Sequence, residues 1–458
     1  MNKIIFVYLL IMGLNLYAVD IQQSKLAPSS YTKLQSERDF QTALDIQAER
    51  IFATRDPREM HLVVQAMIVI LEQAQKKGIN TVIPTKHDQL VSHMWDSFLE
   101  YAMTQQQGQP LMKKLVALDP SSYPFKADAD VFPFRVIYAI GRDARPAQVD
   151  VTQPRRMPVS VQSDVETGMM WYKKPQEERM FPVLINGTIY QWIPNIFPTV
   201  RGNSMLVVYQ KEWDKAHWQK QFLTRQHLEN SFLLYSKISP EVAMGLNTRE
   251  RGGASINDLH FQTVWLDQLP QNAQRPTDFK GDYRYLLDHT LDAAQEIVRV
   301  ADDLVVKSFY TDFLSGFEFE GVNQPMVFDA VMKLIDSLHE NNVHYNVIYF
   351  RGKIFVFLIH PTAQPSWPEG FEFFGVAEKI GLFMTLSESQ YKRADTRDKI
   401  RELMELLRYP EAPVSSETRT YPGFDNIRQQ WLDDFRARIG SEQTLPVLKP
   451  EIFIQIAS

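Results

Sequence analysis

Strand, helix and hairpin patterns occur twice in succession along this chain, and no other feature limits its possible folds as much. In the first pass a hairpin pattern spans Phe181 to Tyr190 with Asn186-Gly187 at its turn. A strand over Met205 to Tyr209, a helical pattern over Asp214 to Tyr235 and an alternating strand over Ala254 to Leu266 follow it. In the second pass a helix is expected from about Tyr283 to Leu304, a strand over Gly316 to Glu320 and a helix over Val327 to Glu340. Two strands, Tyr345 to Phe350 and Lys353 to His360, are joined there by Arg351-Gly352. The expectation is an α+β fold with two related halves, each an antiparallel sheet with helices. From Tyr31 to Ala117 the pattern is helical, with Met60, Val63, Val64, Met67, Ile68 and Leu71 at three- and four-residue steps. The tail from Arg397 holds two helical stretches broken by Pro410 to Pro413, and Trp431 to Ile439 is placed as a cap on the domain. The expected organisation is a leader at 1–18, a helical N-terminal extension at 19–150, halves at 151–275 and 276–390, and a C-terminal helical tail at 391–458.

The leader reading rests on Met1-Asn2-Lys3, an apolar run from Ile4 to Leu16 and a small residue, Ala18, before Val19-Asp20. A positive start, an apolar stretch too short to span a bilayer and a small residue at the cut make a bacterial secretory signal. The expected location is periplasmic or secreted, with no membrane attachment after cleavage; a mis-assigned start would make it cytoplasmic. The chain has no cysteine, so disulfides, thiolate metal sites and a cysteine nucleophile are excluded. A net charge of −6 gives no basic face for nucleic acid, and any phosphate-bearing ligand has to be met by a local cluster of donors. His61, His87 and His93 lack metal-ligand spacing, His339 and His344 read as surface residues after a helix, and Phe371 to Phe374 reads as core.

The chemistry is concentrated in Gly245 to Gln262. Gly252 and Gly253 let a backbone approach a ligand closely and turn N–H groups toward an anion. Ser255 adds a hydroxyl, Asn247 an amide, and Arg249 and Arg251 charges for a di- or triphosphate. His260 and Gln262, two apart on a strand, face one way. A neutral imidazole, with an unperturbed pKa of ~6.5, is a sound nucleophile toward phosphorus near neutral pH. A phosphate monoester leaving group, with its second pKa of ~6, departs without a dedicated general acid. Gln262 and Ser255 are suited to stabilising charge on the non-bridging oxygens.

This run resembles the active-site segment of the galactose-1-phosphate uridylyltransferase branch of the histidine triad superfamily, above all the GDP-hexose phosphorylases, in Asn247, Gly253, Ser255, His260 and Gln262. Gln153 to Arg156, Asn195 to Val200 and Tyr345-Asn346-Val347 are fainter echoes. The resemblance implies two histidine-triad-like half units, His260 as the residue that becomes nucleotidylated, and Gln262 as its catalytic partner. It also implies substrate binding by Asn247, Gly253 and Ser255, to which the residue reading adds Arg249, Arg251 and Asp258. The partners would be a nucleotide sugar and inorganic phosphate or a sugar phosphate, with no redox cofactor and no metal. Where the family has the first histidine of its His-x-His pair, this chain has Asp258. A dinucleoside polyphosphate phosphorylase shares the chemistry. An exported nucleotide- or sugar-phosphate-binding protein without turnover and a secreted protein that modifies host molecules are the alternatives from other classes.

Overall fold

The computed structural model describes residues 34–104, 125–126, 131, 134–139, 179–195, 202–210, 219–238, 242–248, 252–254, 256–265, 287, 294–362, 375–385, 387–416 and 419–439. The expected leader lies outside them. The chain divides into two compact units, Met1–Tyr101 with Pro175–Trp192, and Ala102–Lys174 with Ile193–Ser458. In chain order the first elements are helices α1 (Glu37–Phe52), α2 (Pro57–Lys76) and α3 (His87–Thr104), then strands β1 (Phe125–Lys126), β2 (Arg135–Tyr138), β3 (Pro182–Ile185) and β4 (Thr188–Pro194).

The first unit is built from the three helices and the β3–β4 hairpin. Ser36 caps α1 in a capping box with Asp39, and Asp56 caps α2 ahead of Pro57, so both starts are written in the local sequence. The expected stripe of α2 is its buried face. Asn186 and Gly187 both adopt positive φ, 47° and 77°, the pair a tight two-residue hairpin turn demands. Val82 and Leu184 exchange backbone hydrogen bonds of 2.8 and 2.9 Å beside that hairpin.

The second unit continues with β5 (Ser204–Val208), α4 (Arg225–Tyr235), β6 (Val242–Asn247), β7 (His260–Trp265), β8 (Gln295–Val300), β9 (Leu304–Tyr310), β10 (Ser315–Glu320), α5 (Gln324–Glu340), β11 (Tyr345–Phe350) and β12 (Lys353–Leu358). Then come α6 (Val376–Lys379), β13 (Leu382–Thr385), α7 (Glu388–Arg393), α8 (Arg397–Leu407), the short pair β14 (Val414–Ser415) and β15 (Thr420–Tyr421), and α9 (Phe424–Ile439). Within this unit the strands run β5-β7-β6-β11-β12-β10-β9-β8, each antiparallel to the next. Strand, helix and two strands, β5-α4-β6-β7, lie in the order β5-β7-β6; β10-α5-β11-β12 lie in the order β10-β12-β11. The repeat suspected in the sequence is therefore one motif used twice, facing opposite ways across the antiparallel β6–β11 seam.

Alternation along these strands makes two different faces. One carries Phe261, Tyr349, Phe317 and Phe319 and packs on α4, α5 and α9: Phe232 meets Tyr349 edge-on, Trp431 packs against Phe317 and Phe319, and Trp431 donates to the Ala330 carbonyl at 3.1 Å. The expected capping role of the Trp431 segment is this contact. The other face carries Ala243, Ile348, Phe355 and Phe357 and shares a core with β2, β13 and α8. Gly245 lies on that face, where a Cβ would stand 2.7 Å from the Val347 carbonyl oxygen and 2.7 Å from Val376. Gly245→Ala is expected to cost roughly 1–3 kcal/mol through overpacking, read as a lowered urea midpoint at unchanged slope.

Three expectations are corrected. The helix placed over Tyr283 to Leu304 is, from Gln295 onward, the β8–β9 hairpin, turning at Ala301 with φ 44°. Its β-branched residues favour a strand, and a register shift between Glu296 and Val298 breaks the strict alternation that would have shown it. Of the helix placed over Asp214 to Tyr235, the described residues are helical over Arg225–Tyr235, where Thr224 caps the start, and not over 219–224. The strand placed over Ala254 to Leu266 begins only at His260. Among the described residues no helix is long and apolar enough to cross a membrane.

Candidate active site

His260 is the first residue of β7, and its environment is set by three neighbouring segments. Val207 of β5 lies opposite it on one side. On the other side the pairing of β6 with β7, Met244 with Thr263 and Gly245 with Gln262, points two places further to Asn247 opposite His260. Asn247 is itself paired with Asn346 of β11. His260, Asn247 and Asn346 thus form a row across three strands, on the face that carries α6, and Gln262 shares that face by alternation.

The imidazole is 5 % exposed and its Nδ1 lies 2.8 Å from the Asp258 carbonyl oxygen. A carbonyl only accepts, so Nδ1 carries the proton and, in the neutral ring, the lone pair sits at Nε2. The Asp258 contact to the ring is thus made by its backbone oxygen. The backbone of His260 is held separately: its N–H donates to Gln221 Oε1 at 2.8 Å, while Gln221 Nε2 donates to the Asn247 carbonyl at 2.7 Å and to the His260 carbonyl at 3.2 Å. The Gln221 N–H donates to Asn257 Oδ1 at 3.1 Å, and the Leu259 N–H to the Gln219 carbonyl at 2.9 Å.

Asn247 is anchored by its Oδ1, which accepts from Asn346 Nδ2 at 2.9 Å and from the Val376 N–H at 2.7 Å. Asn346 Nδ2 also donates to the Gly252 carbonyl at 2.7 Å, which fixes both amide orientations and ties the glycine turn to the seam. Gly253 has φ 91°, a left-handed conformation that glycine alone adopts without strain. Thr248 closes the arrangement: its Oγ1 donates to the Tyr345 carbonyl at 2.7 Å and accepts from the Tyr345 N–H at 3.2 Å.

Of the residues singled out in the sequence, the structure brings His260, Asn247, Gly253 and Asp258 into one connected region and sets Gln262 on the same face as His260. Arg249, Arg251 and Ser255 lie outside the described residues, as do Gln153 to Arg156 and Phe371 to Phe374. Asn195 is described; its Nδ2 donates to Asn203 Oδ1 at 2.7 Å, and Asn203 Nδ2 donates to the Thr263 carbonyl at 2.9 Å. Gln221 and Thr248 were not singled out from the sequence, and Asn346 only as part of a fainter echo, since their contacts depend on which strands become neighbours.

Behind the sheet His339 and His344, expected at the surface, are buried. His339 Nε2 lies 2.7 Å from the Tyr345 hydroxyl, which also accepts from the Leu223 N–H at 3.3 Å. Burial pushes His339 and His227 down to about 4, so both are neutral, and burial raises Tyr345 so that its hydroxyl keeps its proton. A hollow of about 440 Å³ bounded by Phe222, Arg225, Asp329, Lys333 and His339 lies on this helical side. His260 lies on the opposite face, and Arg225 is already engaged by Glu229 and Asp329.

No protein-family model matches the chain, and no curated protein matches it. Among solved structures it is similar to yeast Ap4A phosphorylase Apa2 in complex with Ap4A, at 12 % identity and a TM-score of 0.42, over 69 % of this chain and 98 % of that one. The complex of Apa2 with AMP matches at 12 % identity and 0.39, over 68 % and 97 %, and a further crystal structure of Apa2 at 14 % and 0.40, over 65 % and 94 %. Likeness at this distance assigns neither a substrate nor a role to any residue.

Proposed function

We propose that this chain transfers a nucleotidyl group through His260, acting as a phosphorylase of a nucleoside-diphosphate hexose. The observation that carries the reading is the Nδ1 contact with the Asp258 carbonyl, which leaves the imidazole lone pair at Nε2 on a ring held at a strand end beside a glycine turn. Nε2 attacks the α-phosphorus. The bond from that phosphorus to the bridging oxygen breaks, its electron pair leaving with hexose-1-phosphate, and an Nε2–P bond forms. Nδ1 keeps its proton throughout, so the positive charge that develops on the ring is stabilised by the Asp258 carbonyl dipole. An oxygen of inorganic phosphate then attacks the same phosphorus, the N–P bond breaks, and a nucleoside diphosphate leaves. A dinucleoside polyphosphate undergoes the same attack with a nucleotide as leaving group.

The test is incubation of the protein, without phosphate, with a panel of nucleoside-diphosphate hexoses and dinucleoside polyphosphates, followed by intact mass. An acid-labile nucleotide adduct is expected on His260, discharged as nucleoside diphosphate when phosphate is added. Release of hexose-1-phosphate or of nucleotide tells the two substrate classes apart. Binding without an adduct from any donor would leave only the ligand-binding alternative. Asp258→His is expected to form the adduct within about tenfold of the wild-type rate, because the backbone carbonyl is retained; complete loss would mean the carboxylate itself takes part. With this reading go an exported protein and the two halves at 151–275 and 276–390.

A further inference from the structure

We propose that Gln221 is a positioning residue for the His260 nucleophile, an inference that rests on the proposed nucleotidyl transfer. The argument starts from the end of the β6–β7 ladder. Two places beyond the Gly245–Gln262 pair, Asn247 and His260 would ordinarily exchange backbone hydrogen bonds. The Gln221 side chain occupies that place, giving the His260 N–H an acceptor and the Asn247 and His260 carbonyls a donor. It is fully buried, and an amide is the one uncharged side chain that supplies a donor and an acceptor on adjacent atoms, as a peptide group does.

The consequence is geometric. A side-chain amide inserted between two strands holds them further apart than a direct ladder, so the His260 end of β7 stands off Asn247 without losing its hydrogen bonds. The same residue fixes the turn that orients the ring. Its backbone N–H holds the Asn257 side chain, one residue before the Asp258 carbonyl that receives the Nδ1 proton. Gln221 thus controls both the backbone from which the imidazole projects and the turn that selects its tautomer. Displacing a reacting group by ~1 Å costs about 10²-fold in rate, so loss of this clamp acts on the chemical step and not on binding.

Two variants test the idea. Gln221→Met keeps the length and removes both polar functions. Gln221→Glu keeps the acceptor and, only while protonated, one donor. In a single turnover Gln221→Met is expected to form the adduct ~10–10²-fold more slowly with nucleotide affinity within about threefold of wild type. Gln221→Glu is expected to slow progressively as pH rises relative to wild type, because the ionised carboxylate faces two carbonyl oxygens. Nitrogen-15 shifts of the His260 ring give a readout independent of turnover: Nδ1–H in the wild type, a mixture of tautomers in Gln221→Met. Should the wild type form no adduct at all, the functional reading fails while the ring shifts still decide on Gln221; should Gln221→Met not fold, Gln221→Glu decides alone. Wild-type adduct rates and a wild-type ring tautomer in the folded variants would overturn the proposal.

Discussion

His260→Ala is expected to abolish the nucleotide adduct and to lower turnover by on the order of 10⁴-fold or more, about 5.5 kcal/mol of barrier, while leaving nucleotide affinity nearly unchanged. The size follows from what is removed. Alanine takes away the atom that forms the bond to phosphorus, and none of the amides around it can replace that atom. Affinity is spared because the anchoring of Asn247, Asn346 and the glycine turn does not pass through the ring. An adduct of undiminished yield on the alanine variant, mapped by peptide mass, would place the nucleophile elsewhere.

Acid is expected to destabilise the second unit progressively between pH 6.5 and about 4. His227 and His339, 5 % and 9 % exposed, have pKa values pushed down to about 4 by burial, against about 6.5 in an unfolded chain. Between those values the unfolded chain binds protons that the folded one does not, so the stabilisation is present above pH 6.5 and is lost as pH falls toward 4. Each histidine contributes about 3 kcal/mol across that window, and the two together rival the whole stability of an ordinary domain. Urea midpoints should fall steeply from pH 6.5 to 4. Replacing both with glutamine removes the titration and keeps polar atoms for Gln219 and Tyr345. The double variant should show a flattened profile; an unchanged acid slope would show that other groups carry it.

Much of this architecture is legible in the sequence. The Asn186-Gly187 turn, the buried stripe of α2, the helix α5 and the β11–β12 hairpin are local patterns, and local rules are enough to read them. The misplaced helix over β8 shows the limit. An irregular register hides alternation, and only pairing with β9 settles the segment as a strand. His339 and His344 fail for a related reason: position after a helix says nothing about which strand will cover it.

The sequence by itself determined the nucleophile candidate, the glycine turn beside it and the doubling of the strand-helix-strand motif, because each is written in contiguous residues and their spacing. Only the tertiary structure decided that Asn346, about a hundred residues on, pairs with Asn247, that the Gln221 side chain bridges the backbones of Asn247 and His260, and that the Asp258 carbonyl meets His260 Nδ1. Hydrogen-bond partners of this kind depend on which strands become neighbours and in what register, and that is a property of the assembled sheet, not of any stretch of chain.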